Sequence, residues 1–405
     1  MHKILNPKSI ALGLGLMLTT LCQAQQWSGE QNLAGDLFGT PAVAQVPGTN
    51  VLQAFYEGGD SAMWTRWRNT DGTWSQEERL GGQLYPATCG DLSIPQCEGF
   101  NLTPFAIQIP NTDFLYVFYR GADNTLRYLL RDNNGNWLPE GNLGGQMSGN
   151  LSAVQVPGTD AIQVFYRGAD GNLKTQWGNL NFWVNEQDLG GQLFGPTCSD
   201  ITNDSCYGAY ATPAVIQIPD TDYLYVFYRG PDNTLRYRLR DNNGNWYSEG
   251  NLGGQMSSDP SAAQIPGTDQ IQVFYRGAGA YEDGGLMYQQ GNLNFWTFET
   301  PVGGNPEVLS GFHCDTYNPP SGCVASYSAP KAYVVGNNLW VLERGLNWGV
   351  VAINFGASEY YILGGNFPIT DPIAAPIPGT NTIQIFYVED TGGADGFLAT
   401  RWFPN

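Results

Sequence analysis

Residues 114–145 read FLYVFYRGADNTLRYLLRDNNGNWLPEGNLGG, and this stretch sets the architecture of the whole chain. Phe114 to Arg120 is apolar at consecutive positions and rich in aromatics, the pattern of a strand buried on both faces. Gly121-Ala122-Asp123-Asn124 then turns, Thr125 to Arg131 forms the next strand, and Asp132-Asn133-Asn134-Gly135 turns again. Asn136-Trp137 opens a strand that ends at Leu143-Gly144-Gly145. Upstream, Pro104 to Ile109 supplies an earlier strand, closed by Pro110-Asn111-Thr112-Asp113. Every turn carries Gly, Asn, Asp or Pro, which suit the dihedrals of a tight reversal. The unit is a four-stranded antiparallel sheet. Gly and Pro punctuate too often for a helical stripe to compete.

The unit repeats. Phe118-Tyr119-Arg120-Gly121 recurs at 165–168, 227–230 and 274–277. Looser copies are Phe55-Tyr56-Glu57-Gly58, Leu342-Glu343-Arg344-Gly345 and Phe386-Tyr387-Val388. The seven copies lie 63, 47, 62, 47, 68 and 44 residues apart, alternating because three insertions intervene, each holding a cysteine pair. Residues 103–210 and 212–319 begin as near copies, so two blades form the larger repeat. Such periodicity in an all-β chain predicts a β-propeller of four-stranded blades.

The two ends settle the blade count. Trp137-x-x-Glu140-x-x-Leu143 has equivalents at Trp74/Glu77/Leu80, Trp183/Glu186/Leu189, Trp246/Glu249/Leu252 and Trp296/Glu299/Val302. Trp27, Glu30 and Leu33 supply another with no blade before them, and the C-terminus stops after a third strand at Leu398 to Trp402. The N-terminal strand therefore completes the last blade, giving a seven-bladed ring, 25–405, without an open edge. The glutamates Glu30, Glu77, Glu140, Glu186, Glu249 and Glu299 fall on the outermost strand, where charge is expected to protect an edge from pairing.

Residues 1–24 read as a signal peptide: Lys3 and Lys8 precede the apolar run Ile10 to Leu21, and Cys22-Gln23-Ala24 offers small cleavage-site residues. Lipid attachment at Cys22 is the weaker alternative, because Leu21 is bulky. The chain is expected to be secreted or periplasmic. The apolar run is too short for a bilayer, and none later is longer, so no membrane insertion is expected. Net charge is −19, and losing Lys3 and Lys8 takes it to −21, which disfavours nucleic acid and anionic lipid. An even number of mature cysteines in an exported chain predicts the local disulfides Cys89–Cys97, Cys198–Cys206 and Cys314–Cys323. Spacing and the single mature histidine, His313, disfavour zinc. The turns from Asp132 and Asp241 lack the closing carboxylate of a calcium loop. No metal or cofactor is expected.

The stretch VFYRGADNTLRY, followed by a tryptophan strand and NLGG, resembles the bacterial seven-bladed propeller lectins of the fucose-binding type. More distantly, it is similar to tectonin-like and fungal fucose-lectin propellers. The resemblance implies multivalent carbohydrate binding without catalysis, in pockets between adjacent blades, with glycans of cell surfaces or glycoconjugates as partners. Those relatives often carry tryptophan where this chain has Arg127, Lys174 and Arg236.

The candidate binding residues are the arginines ending strand two, Arg120, Arg167, Arg229, Arg276 and Arg344, with Asp123, Asp170 and Asp232 three residues beyond the first three. Guanidinium forks bind vicinal hydroxyls, neighbouring aromatics supply an apolar plate, and the aspartates accept hydroxyl protons. The structural alternative is that each Arg pairs with its Asp or a carbonyl to pin the turn. A protein-interaction propeller of a secreted complex or toxin is the second functional reading, and a secreted glycoside hydrolase the third. Hydrolysis needs two positioned carboxylates, and no unique constellation stands out. Assembly into a homo-oligomer is left open.

Overall fold

The computed structural model describes residues 27–85, 103–195, 211–277, 285–302, 328–344, 349–355, 359–363, 368, 370–390 and 396–403. The expected signal peptide and all six mature cysteines, with their three expected pairings, lie outside these residues. The described residues contain no helix. They form seven blades of four antiparallel strands. In blade 2 these are Phe105–Gln108, Leu115–Arg120, Leu126–Arg131 and Gly141–Gly144. The expected strands are met to within a residue or so, apart from the fourth. There Trp137 makes a lone bridge to Arg131, and the ladder resumes only at Gly141.

Blade 7 takes Ile373–Pro376, Ile383–Asp390 and Gly396–Phe403 from the C-terminus and Gln31–Asn32 from the N-terminus. Gln31 pairs with Thr400 and Asn32 with Ala399. Ser28 N donates to the Trp402 carbonyl at 2.9 Å and Leu33 N to that of Leu398 at 2.8 Å. The N-terminal strand closes the ring as the sequence predicts.

The Phe-Tyr pair of strand two explains how blades stack. Adjacent strand residues point to opposite faces, so every blade except the sixth, which has Leu342-Glu343 here, sends Phe to one neighbour and Tyr to the other. Each Phe receives, edge-on, the fourth-strand tryptophan of the following blade: Trp137 on Phe55, Trp183 on Phe118, Trp246 on Phe165, Trp296 on Phe227 and Trp74 on Phe386, at 5.3–5.7 Å between centroids. Blade 6 has no such tryptophan, and Phe355 takes its place on Phe274 at 5.4 Å. Trp27 completes the circuit on Trp340 of blade 6 at 5.7 Å. Seven seams in sequence return to their start, which is the ring.

The tyrosines fill the other face. Tyr56, Tyr166, Tyr275 and Tyr387 donate to Glu77, Glu186, Glu299 and Glu30 at 2.6–2.8 Å, and Tyr119 and Tyr228 donate to Glu140 and Glu249. The glutamates expected to guard the outer edge are therefore tied inward, because the interrupted fourth strand turns them back over the sheet. In blades 1 to 4 the second glycine of LGG packs on this Tyr–Glu pair of the next blade. Gly254 has φ +75°, and a Cβ there would sit 2.6 Å from Glu299 Oε2 and 2.7 Å from Tyr275 Oη. Only glycine meets both demands.

Candidate functional site

The strand-two arginines end on the face where the insertions begin. Tyr85 and Phe194, each just before an insertion, return their N–H to the carbonyls of Arg120 and Arg229 at 3.0 and 2.7 Å. Their rings then cover the guanidinium groups, 4.1 Å from Arg120 Cζ and 3.7 Å from Arg229 Cζ, in cation–π contact. Each arginine also donates Nε to an asparagine of its own turn, Arg120 to Asn124 and Arg229 to Asn233, both at 2.9 Å. Both asparagines stand at φ +64°, a left-handed conformation that Asn tolerates better than most side chains.

Arg167 and Arg276 sit at the same position in the alternate blades, where serines replace the aromatic. Arg167 Nη1 donates to Ser148 Oγ at 2.6 Å. Ser257 N donates to the Arg276 carbonyl at 2.8 Å, and Arg276 N donates to Ser258 Oγ at 2.9 Å. Arg344 is 5 % exposed and gives Nη1 to the Pro368 carbonyl at 3.1 Å, serving the seam between blades 6 and 7.

The aspartates form their ion pairs with strand-three cations, although Asp170 also attracts Arg167. Asp123 binds Arg127 at 2.7 Å, Asp170 binds Lys174 at 2.7 Å and Asp232 binds Arg236 at 2.7 Å. Arg127 and Arg236 reach onward to Glu140 and Glu249, and Lys174 to Asp188 at 2.9 Å. Hydrogen bonds from Arg236 hold Asp232 down to about 2, and those from Arg127 hold Asp123 lower still. In blade 1 the same place holds Trp64, whose indole donates to Asp60 at 2.8 Å. The cations replacing tryptophan are thus part of a carboxylate-bound framework. Asp132, in its turn, accepts the N–H groups of Asn134 and Asn136 at 2.9 and 2.7 Å. Among the described residues no group of three His, Cys, Asp or Glu is placed to hold a metal.

Two blade seams carry matching arrangements. Between blades 2 and 3, Thr103 N donates to Asn150 Oδ1 at 3.3 Å; between blades 4 and 5, Thr212 N donates to Asp259 Oδ2 at 2.8 Å. Burial lowers Arg229 to about 10, against the opposing charge of Asp259, so it remains a cation at neutral pH. Burial raises Asp259 to about 6. The first seam holds a recess of about 10 Å³, the space of one water, lined by Arg120, Tyr119, Thr103, Pro104, Asn150 and Met147 among others. The aromatic caps were visible in the sequence as Gln83-Leu84-Tyr85 and Gln192-Leu193-Phe194, against Gln146-Met147-Ser148 and Gln255-Met256-Ser257. Their contact with arginine crosses a seam, so no local reading finds it.

The sequence matches no protein-family model and no curated protein. The fold is similar to that of solved lectins. BP39L lectin from Burkholderia pseudomallei superposes with a TM-score of 0.68 at 17 % identity, over 91 % of this chain and 96 % of that one. Aleuria aurantia lectin, bound to Fucα1-6GlcNAc, gives 0.52 at 15 % identity, over 81 % and 96 %. That lectin is described as a six-bladed propeller with a novel fucose recognition mode. The expected resemblance to fucose-lectin propellers is met in the fold.

Proposed function

We propose that this chain is an exported, multivalent glycan-binding protein that performs no catalysis. Its sugar sites lie between adjacent blades, over Arg120, Arg167, Arg229 and Arg276. One observation carries the reading: four successive blades present the same strand-two arginine on the same face, beside half-buried Tyr85 and Phe194 rings in alternate blades. The ring stacks on the C–H face of a sugar while the guanidinium donates to its hydroxyls. Asp123, Asp170 and Asp232 support this face through their ion pairs. Repetition of a weak site suits glycans displayed on a surface, where avidity multiplies affinity.

The lectin neighbours support this reading, and the fucosides bound to Aleuria aurantia lectin make fucose the first sugar to test. The protein-interaction reading draws on Phe298, 93 % exposed, with the exposed Leu293 and Phe295 in blade 5. A glycan array probed with the purified protein separates the two. Binding to a defined set of glycans that strengthens with printed density is expected. Absence of binding at every density would overturn the proposal.

A further inference from the structure

Blade 1 departs from blades 2 to 4 at the turn after strand two. In those blades the strand-three cation is held by two carboxylates: Arg127 by Asp123 and Glu140, Lys174 by Asp170 and Asp188, Arg236 by Asp232 and Glu249. Blade 1 keeps the first carboxylate as Asp60. Strand three now carries Trp64, and the cation has moved across the ladder to its register partner, Arg79. That register place holds Asn142, Asp188 and Asn251 in blades 2 to 4.

Asp60 fixes the two side chains beside each other. Its Oδ1 accepts from Trp64 Nε1 at 2.8 Å and from the Ala62 N–H at 3.2 Å, and its Oδ2 accepts from Arg79 Nε at 2.6 Å. These bonds, that of Trp64 first, hold Asp60 down to about 2, so the pair with Arg79 is charged at neutral pH. The half-buried indole lies over Gly58, where a Cβ would sit 2.4 Å from its Cδ1. The Arg79 side chain is 51 % exposed, and its Nη1 and Nη2 make no hydrogen bond to the described residues. The second carboxylate that serves Arg127 and Arg236 is here Glu77, which already accepts from Tyr56 at 2.8 Å and pairs with Arg66 at 3.5 Å.

We propose that blade 1 carries a separate site for acidic sugars, in which Arg79 takes a ligand carboxylate and Trp64 the apolar face of its pyranose ring. Blades 2 to 4 match a cation at this turn with two carboxylates; blade 1 builds one and leaves the second to the ligand. With Nε bound to Asp60, the guanidinium plane is set and its outer pair of N–H groups suits a carboxylate fork. The neighbouring indole favours a ligand with a flat C–H face over an inorganic anion. Hexuronates and N-acetylneuraminate share that chemistry, a carboxylate on a pyranose. The site extends the glycan reading to a second class of sugar through residues which that reading does not use.

Ligand-observed NMR titration of the full chain tests it, at about 0.15 M salt so that the repulsion of anions by a chain of charge −19 is screened beyond about 8 Å. The probes are the methyl glycosides of N-acetylneuraminic acid and of glucuronic acid, each beside its neutral methyl ester, whose ring is unchanged. At least one acid should bind about tenfold or more tighter than its ester. Arg79→Gln should remove that preference. Arg131→Gln, which deletes the same charge at the far end of strand three in blade 2, should leave it in place. Trp64→Leu should weaken acid and ester together; if that variant does not fold, the esters and Arg79→Gln decide the matter without it. Equal binding of acid and ester, binding of neither, or a preference that survives Arg79→Gln would overturn the site. The two readings fail separately: an array without neutral-glycan binding refutes the function proposed above, while this site stands or falls on acid against ester.

Discussion

Blades 2 to 5 and the arc formed by blades 6, 7 and 1 are built on one plan, but the arc adds a buried glutamate around the end of strand two in each blade, beside Arg344 in blade 6. The regular blades end strand two with arginine. The closure arc buries a glutamate there or one residue to either side: Glu57, Glu343 and Glu389 are all 2 % exposed or less. The regular blades also keep the Trp-x-x-Glu signature intact, whereas blade 6 replaces its tryptophan with Phe355 and its strand-two tyrosine with Glu343. The difference separates two tasks. The regular arc repeats a strand-two arginine, capped by a ring in blades 2 and 4 and met by serines in blades 3 and 5, and the closure arc joins the two ends of the chain.

Removing the N-terminal strand should have the largest effect on this division. A chain beginning at Asp36 loses the aromatic seam of Trp27, the tie from Glu30 and the ladder to strand three. Trp27 is half-buried, so its loss alone costs a part of the about 3–5 kcal/mol that a fully buried tryptophan contributes. Calorimetry should show a large fall in melting temperature and loss of a single cooperative transition. Unchanged melting would show that the ring does not depend on its closing strand.

Within the regular arc, the two glycines of one LGG motif should behave differently. Gly254→Ala places a methyl against Glu299 and Tyr275 of the next blade and strains a left-handed backbone, costing about 2–4 kcal/mol. Gly253→Ala meets the same backbone strain, φ +74°, but nothing lies within 4 Å of its new methyl, so about 1 kcal/mol is expected. Equal losses in denaturant titration would remove the close seam from the account.

Fold and closure were legible because each blade writes its own signature and the chain ends split one copy. Trp27-x-x-Glu30 at one end and the orphan third strand at the other left one way to count. The glutamates were misread as edge protection, since nothing local reveals that the fourth strand breaks after its tryptophan and turns them toward tyrosine. The place of the arginines at the end of strand two was legible, but the groups that face them were not. Asp123 is closer in sequence than Tyr85, yet it answers to Arg127, while Tyr85 arrives from the preceding blade. Contacts within a blade follow the repeat; contacts across a seam need the ring.

The buried charges sharpen the comparison through pH. Burial raises Glu57 to about 8, against a hydrogen bond with Ser61. Its folded-state pKa lies above its unfolded one, so stability is fullest below the ordinary carboxylate range and falls as pH rises toward 8. The folded-to-unfolded ratio should drop by up to about tenfold per pH unit in that window. Glu57→Gln should flatten that component of the melting temperature's pH dependence. A slope unchanged by the substitution would mean the carboxyl is already ionised in the fold.

The central claim is that the arginine face of the regular arc binds glycan. Arg120→Ala and Arg229→Ala each remove a charge-assisted donor worth about 1.5–3 kcal/mol, or about tenfold or more at one site. The double variant should lose binding to a glycan-coated surface disproportionately, because avidity needs several sites at once. Glycan titration and calorimetry on the same samples measure this directly. The account predicts lost glycan affinity in protein that still melts cooperatively; unchanged affinity with a lowered melting temperature would make these arginines scaffold and contradict it.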